Sequence, residues 1–213
     1  MKKTVLFDLD GTLTDSGEGI INCAALALRH FGLPVPSREE MRVFVGPPLY
    51  ETFQKFGVPA EKTDEAIRVY RSRYIPTGMF ENTPYPGVKA LLKALKSEGY
   101  TLYVATSKPE EMSVTILEKF GLAPYFDRIC GASTDTSRST KDAVIAYLLA
   151  QSGAKEDMVM VGDTKYDVLG AKAHEIPAIG VSWGYGSAEE MMEAGAVGIA
   201  DTTQQLLELI KMM

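Results

Sequence analysis

Two carboxylates separated by a single residue, Asp8 and Asp10, close the apolar run Val5-Leu6-Phe7 in "VLFDLDGTLTD". Alternate residues of an extended chain share a face, so the two acids project together about 7 Å apart. At an effective dielectric near 20 they repel by about 2 kcal/mol, and a positive partner is expected to hold them. Three other stretches carry groups that fit the same site. "TLYVATSKPEE" ends an apolar run in the hydroxyls of Thr106 and Ser107, "TKDAV" offers Lys141, and "MVMVGDTKYD" ends in Asp163 with Asp167 four residues on. Oxygen-only ligands on loops suit a hard cation. Mg2+ is the natural candidate because it accepts few carboxylates and keeps water that a phosphate can displace. Ser107 and Glu110 have the spacing of a capping box, which predicts a helix whose first free N–H groups make an anion site. Carboxylates, a cation, a lysine and a helix terminus together describe phosphoryl-transfer chemistry.

These groups meet only if the chain brings its strand ends to one rim. Apolar runs at residues 4–10, 101–107, 128–133, 158–163, 178–182 and 197–201 read as buried strands. Stretches with apolar residues at helical spacing separate them, such as Val88, Leu91, Leu92 and Leu95. That alternation predicts an α/β fold, a Rossmann-like, mostly parallel sheet with helices on both faces. Ligands of such sheets gather at the carboxyl ends of the strands. Residues 17–80 break the rhythm: Ile20, Ile21, Ala24, Ala25, Leu28 and Phe31 form a helical stripe, "SREE" at 37–40 is a helix-start box, and residues 61–75 read as a further helix. The segment is expected to be a helical unit inserted into a core made of residues 1–16 and 81–213. "GMFENTPYPG" at 78–87 reads as its return connection.

The motifs "DLDGT", Thr106 at a strand end, a downstream lysine and "GDTKYD" resemble, in order and spacing, those of the haloacid dehalogenase superfamily. The resemblance spans nearly the whole chain. It implies that Asp8 is a nucleophile forming an aspartyl phosphate, and that Asp10 is the acid for the leaving oxygen and then the base for water. It makes Thr106 a phosphate ligand and Lys141 the clamp on nucleophile and phosphate. Asp8 and Asp163 become metal ligands, with Asp167 supporting the metal directly or through water, joined by Asp10 through its backbone carbonyl. The inserted helices resemble the cap of that superfamily. "FVGPPLYETF" at 44–53 is similar to the cap loop of phosphoglycolate phosphatase-like enzymes, and "GPPL" to the 5'-nucleotidase branch. Gly46 and Arg42 of the cap, with Ser107 and Lys141 of the core, are therefore candidate substrate contacts. The implied reaction is Mg2+-dependent hydrolysis of a small phosphomonoester, a nucleoside 5'-monophosphate or phosphoglycolate. A phosphosugar mutase shares every core residue, and a phospho-accepting signalling domain shares the acid cluster, hydroxyl and lysine.

Composition narrows the partners. The net charge of −6 disfavours a nucleic acid polymer. Residues 17–80 hold eight Lys and Arg against seven Asp and Glu, so an arginine-bearing, near-neutral cap faces an acidic core, which fits a small anionic metabolite. Apolar runs are too short to span a bilayer, and Asp8 interrupts the N-terminal run too early for a signal peptide, so a cytoplasmic location is expected. Cys23 and Cys130 read as reduced, buried thiols, and a monomer or homodimer is expected.

Overall fold

Thr4–Phe7 (β1) has no polar face to offer water, and a strand of that kind is stable only with helices on both sides of its sheet. The structure, a computed structural model, describes residues 3–133, 137–152 and 157–213. β1 lies near the middle of a parallel sheet with Thr101–Pro109 (β4), Arg128–Ala132 (β5), Met158–Gly162 (β6), Ala178–Val181 (β7) and Gly198–Ala200 (β8), in the order β5-β4-β1-β6-β7-β8. All six expected strands are present. Val5 and Phe7 pack on one side with Leu102, Val104, Val159 and Val161, while Leu6 turns to the other with Ala105, Met158 and Met160. Val88–Ser97 (α4), Glu110–Lys119 (α5) and Thr203–Met212 (α9) cover the first face. Lys141–Ser152 (α6), Lys165–Lys172 (α7) and Ala188–Ala194 (α8) cover the second.

Register decides what reaches the rim. Phe7 pairs with Val104 of β4 and with Val161 of β6, so β1 and β6 end almost level while β4 runs on to Pro109. Neighbouring strands lie about 4.8 Å apart, which sets Asp8 and Asp163, just beyond the ends of β1 and β6, beside Thr106 within β4.

Between β1 and β4 the chain builds the helical insert: Gly17–His30 (α1), Leu49–Lys55 (α2) and Thr63–Tyr74 (α3), with short 3-10 turns between them. Its own core holds Phe44, Phe53, Tyr70 and Tyr74; Tyr70 and Tyr74 stack at 5.0 Å. "SREE" is a start signal: Glu40 accepts from the Ser37 backbone N–H and hydroxyl, and a 3-10 turn over Glu40–Phe44 follows. Two features go beyond the sequence expectations. α2 occupies part of the stretch read as a loop. The return connection also contains a strand: Thr83–Pro84 (β3) pairs antiparallel with Thr14–Asp15 (β2), tying both crossings between insert and core into one ribbon. Two-residue strands show no alternation, and their pairing spans some seventy positions of chain, so periodicity has nothing to register there. Both cysteines are free and buried, and no helix of the described residues is long and apolar enough to cross a membrane.

Candidate active site

Asp8, Asp163 and Asp167 each offer a carboxylate oxygen, and the three atoms lie within 4.8 Å of one another in a fully buried group. At that separation each pair of charges repels by about 3 kcal/mol at an effective dielectric of 20. One ammonium opposes them. Lys141, the first residue of α6, reaches Asp8 and Asp167 at 2.7 Å each and donates to the Ala105 carbonyl at 2.8 Å. Gly170 permits this approach, since a Cβ there would lie 2.7 Å from the Lys141 stem.

The titration shifts follow from this geometry. Burial pushes the Asp8 carboxyl up to about 6, with Lys141 opposing the rise, Asp167 adding to it and a hydrogen bond from Thr106 easing it. Asp163 is driven well above the usual carboxylate range by burial, then by Asp167 and Asp8, because its own partners are neutral. Those partners are the Thr12 hydroxyl at 3.0 Å and the Tyr185 N–H at 2.8 Å. Burial works to lower the Lys141 pKa, but Asp167 and Asp8 overcome it and leave it raised. Three carboxylates against one ammonium leave two uncompensated negative charges in a buried group whose metal-facing donors are all oxygen. A divalent cation fits both the charge and the donor set.

Asp167 is held by a local device. Thr164 caps α7 and gives its N–H (3.0 Å) and hydroxyl (2.9 Å) to one Asp167 oxygen, leaving the other for Lys141. Asp163 is enclosed by missing side chains. Gly11, at a φ of +85° that favours glycine, and Gly184 would each place a Cβ within 2.3 Å of an Asp163 oxygen. The loop "SWGYGS" after β7 thus wraps the acid cluster, with the Trp183 indole donating to the Thr12 carbonyl at 3.1 Å. The sequence flags that loop by its glycines but not its target, which lies twenty residues earlier in the chain.

Asp10 does not join the three-acid group. One of its oxygens pairs with the Lys108 ammonium at 2.8 Å; the other is buried with no hydrogen-bond partner among the described residues. Lys108 also donates to the hydroxyl of Tyr74, on the insert, and lies 4.8 Å from the centre of that ring. Lys108 and Tyr74 were not expected at the site. The sequence signal for Lys108 is its place directly after Ser107, in the run that carries Thr106.

Two expectations need correction. Ser107 and Glu110 form no capping box: β4 continues through Pro109, α5 starts at Glu110, and the Glu110 carboxylate instead accepts from Gly131 N–H at 3.1 Å and pairs with Arg138 at 3.2 Å. Pro109 accounts for this, because a proline keeps the residue before it extended. The expected anion site at a helix starting beside Ser107 is therefore absent. Arg42 does not line the cavity above Asp8. The 3-10 turn buries Phe44 there and directs Arg42 to the Gly184 carbonyl (3.2 Å) and over the Tyr185 ring (5.1 Å). Ser107 and Gly46 do line that cavity, which measures about 540 Å³ between insert and core and has Asp8, Asp10, Thr106 and Lys108 among its walls.

Residues 5–181 match the family model described as haloacid dehalogenase-like hydrolase. A protein of Mycobacterium tuberculosis named Tyrosine-protein kinase PtkA is 46% identical over 87% of this chain, and the match spans 64% of that protein's length. A Pseudomonas aeruginosa protein named 5'-nucleotidase is 41% identical over 88% of this chain and 86% of its own. The crystal structure of a predicted phosphatase from Clostridium acetobutylicum superimposes with a TM-score of 0.96 at 44% identity, covering all of both chains.

Proposed function

The chain belongs to the haloacid dehalogenase-like hydrolase family, and on that premise we propose that it hydrolyses small phosphomonoesters through a phosphoryl group carried on Asp8. The observation that carries the reading is the meeting of Asp8, Asp163, Asp167 and Lys141 beneath a cavity that Asp10 also lines. An Asp8 oxygen attacks phosphorus and the ester oxygen leaves as the alcohol. The unpartnered Asp10 oxygen delivers the proton that this alcohol needs, then takes one from the water that attacks the phosphoryl group, restoring Asp8 and releasing phosphate. Lys141 orients Asp8 and offsets the charge of the phosphoryl oxygens; Thr106 donates to them. A divalent cation, Mg2+ by preference, would be held by Asp8, Asp163, Asp167 and the Asp10 carbonyl, and when bound supplies charge neutralisation to the phosphoryl group. Nucleoside 5'-monophosphates and phosphoglycolate are the candidate substrates. The units 1–16 with 81–213 and 17–80 serve as catalytic core and substrate-selecting cap.

The test is phosphate release from an aryl phosphate with Mg2+, against an Asp8→Asn control. No release above that control overturns hydrolysis. The kinase name borne by the mycobacterial relative implies a tyrosyl acceptor in that protein. Transfer from ATP to a tyrosyl peptide with no phosphate release would put this chain in that class instead.

Two further results are expected. The cation should stabilise the fold: at one hundred times its Kd it contributes about 2.7 kcal/mol, or roughly 5–10 °C in Tm for a chain of this size. Without it, stability should fall as pH rises from about 5 to 7. Folded Asp8 and Asp163 hold protons that the unfolded chain has already lost, so the unfolded state gains from each rise in pH. Thermal unfolding with EDTA and with Mg2+ across that range checks both signs. Separately, Lys108→Met frees the Asp10 carboxylate from its partner and should slow alkyl phosphates by about 10- to 100-fold. Esters whose leaving group needs no proton should slow less, and Lys108→Arg should recover part of the loss.

A further inference from the structure

The cavity above Asp8 is far longer than a phosphate needs, and its walls change character along its length. Along α3 it is lined by Tyr74, then Tyr70 and Arg71, then Ile67, then Asp64, a set that follows one face of the helix. Ten residues of helix rise about 15 Å. Tyr74 stands at the catalytic end, where its hydroxyl meets Lys108 and through it Asp10. Asp64 marks the far end.

The middle of this slot is apolar and flat-sided. Tyr70 is stacked on Tyr74 and almost fully buried; Phe44, Pro47, Ile20 and Met112 also line the cavity. Two cations line it among the described residues: Lys108, committed to Asp10 and Tyr74, and Arg71 on α3. A short substrate such as phosphoglycolate would fill only the catalytic end and leave the walls made by Tyr70, Ile67 and Phe44 uncovered. At the outer end Asp64 and Glu51 are exposed and acidic, so they accept hydrogen bonds and repel a second anionic group.

From this we infer that the cap selects phosphomonoesters of a long, uncharged, ring-bearing alcohol, of which a nucleoside is the fitting example: a planar ring in the tyrosine-walled middle, and hydroxyl or amino donors toward Asp64 and Glu51. The inference rests on the phosphomonoesterase reading and deepens it. Remote contacts of this kind raise kcat/KM by lowering the transition state relative to free enzyme and substrate.

The test compares kcat/KM, with Mg2+, for a nucleoside 5'-monophosphate, phosphoglycolate, a nucleoside 3',5'-bisphosphate and acetyl phosphate. The nucleoside monophosphate is expected to exceed phosphoglycolate by on the order of 100-fold. It should also exceed the bisphosphate, and the free nucleoside should inhibit competitively where glycolate does not. Ile67→Ala, at a half-buried wall position, should reduce the ratio of nucleotide to acetyl phosphate turnover by about tenfold. Phosphoglycolate equal to or better than the nucleotide, or no inhibition by nucleoside, overturns the inference while leaving the hydrolase reading intact. No phosphate release from any of the four, acetyl phosphate included, removes both.

Discussion

Asp8→Asn is expected to lower phosphate release by on the order of 10^5-fold while leaving the protein at least as stable as the parent at pH 7.5. An amide of the same shape cannot attack phosphorus, so the loss falls on chemistry. Stability moves the other way. Burial pushes the Asp8 carboxyl up to about 6, so at pH 7.5 its ionised form is held in the fold against the pull of a proton. The amide removes one of three crowded negative charges, and Lys141 keeps Asp167 and the Ala105 carbonyl as partners. Steady-state turnover and thermal unfolding on one preparation measure both effects. Residual activity above about one part in a hundred would contradict a nucleophilic role, and a fall in Tm of several degrees would contradict the charge balance described for the site.

Lys141→Met should fail in the opposite pattern, losing activity and stability together. Removing one member of a buried charge network leaves the others unpaired, a loss of about 3 kcal/mol or more and roughly 10 °C in Tm. The methionine retains the apolar stem that packs against Gly170, so the change is mainly electrostatic. Without the ammonium, Asp8 loses the charge that opposes its upward shift, and its pKa rises further. The penalty is therefore greatest above pH 6 and shrinks toward pH 5, where a proton takes the place of the lysine. Mg2+ should recover part of the stability but little of the activity, because the position of Asp8 depends on its 2.7 Å contact with Lys141. A variant equally destabilised at pH 5 and pH 8 would point to lost packing.

The contrast between these variants depends on residues that the sequence exposed unequally. Asp8, Thr106 and Asp163 were legible because each directly follows a buried apolar run, and adjacent parallel strands carry such positions to one rim whatever their distance in the chain. Lys141 was legible from its place after the third long strand. The short β2–β3 ribbon was not, since two residues have no period. The path past Ser107 was less legible, since the spacing of Ser107 and Glu110 suits a capping box while Pro109 holds the residue before it extended and keeps the strand running. The direction of Arg42 was not legible, because a 3-10 turn distributes side chains differently from an α-helix. Tyr74 lies on a different unit of the fold from Lys108 and Asp10, and only the docking of insert on core reveals that it meets the Lys108 ammonium that Asp10 also holds.

The central claim is tested most directly by trapping the phosphoryl group in Asp10→Asn. Acetyl phosphate needs no proton for its leaving group, so the first step should proceed in that variant, whereas the attacking water has lost its base. Rapid quench with Mg2+ present, borohydride reduction and peptide mass mapping then read where the phosphoryl group sits. The expected result is a burst of about one acetate per chain and conversion of Asp8 to homoserine. A phosphoryl group found on any other residue, or no burst while the parent protein turns acetyl phosphate over, would contradict it.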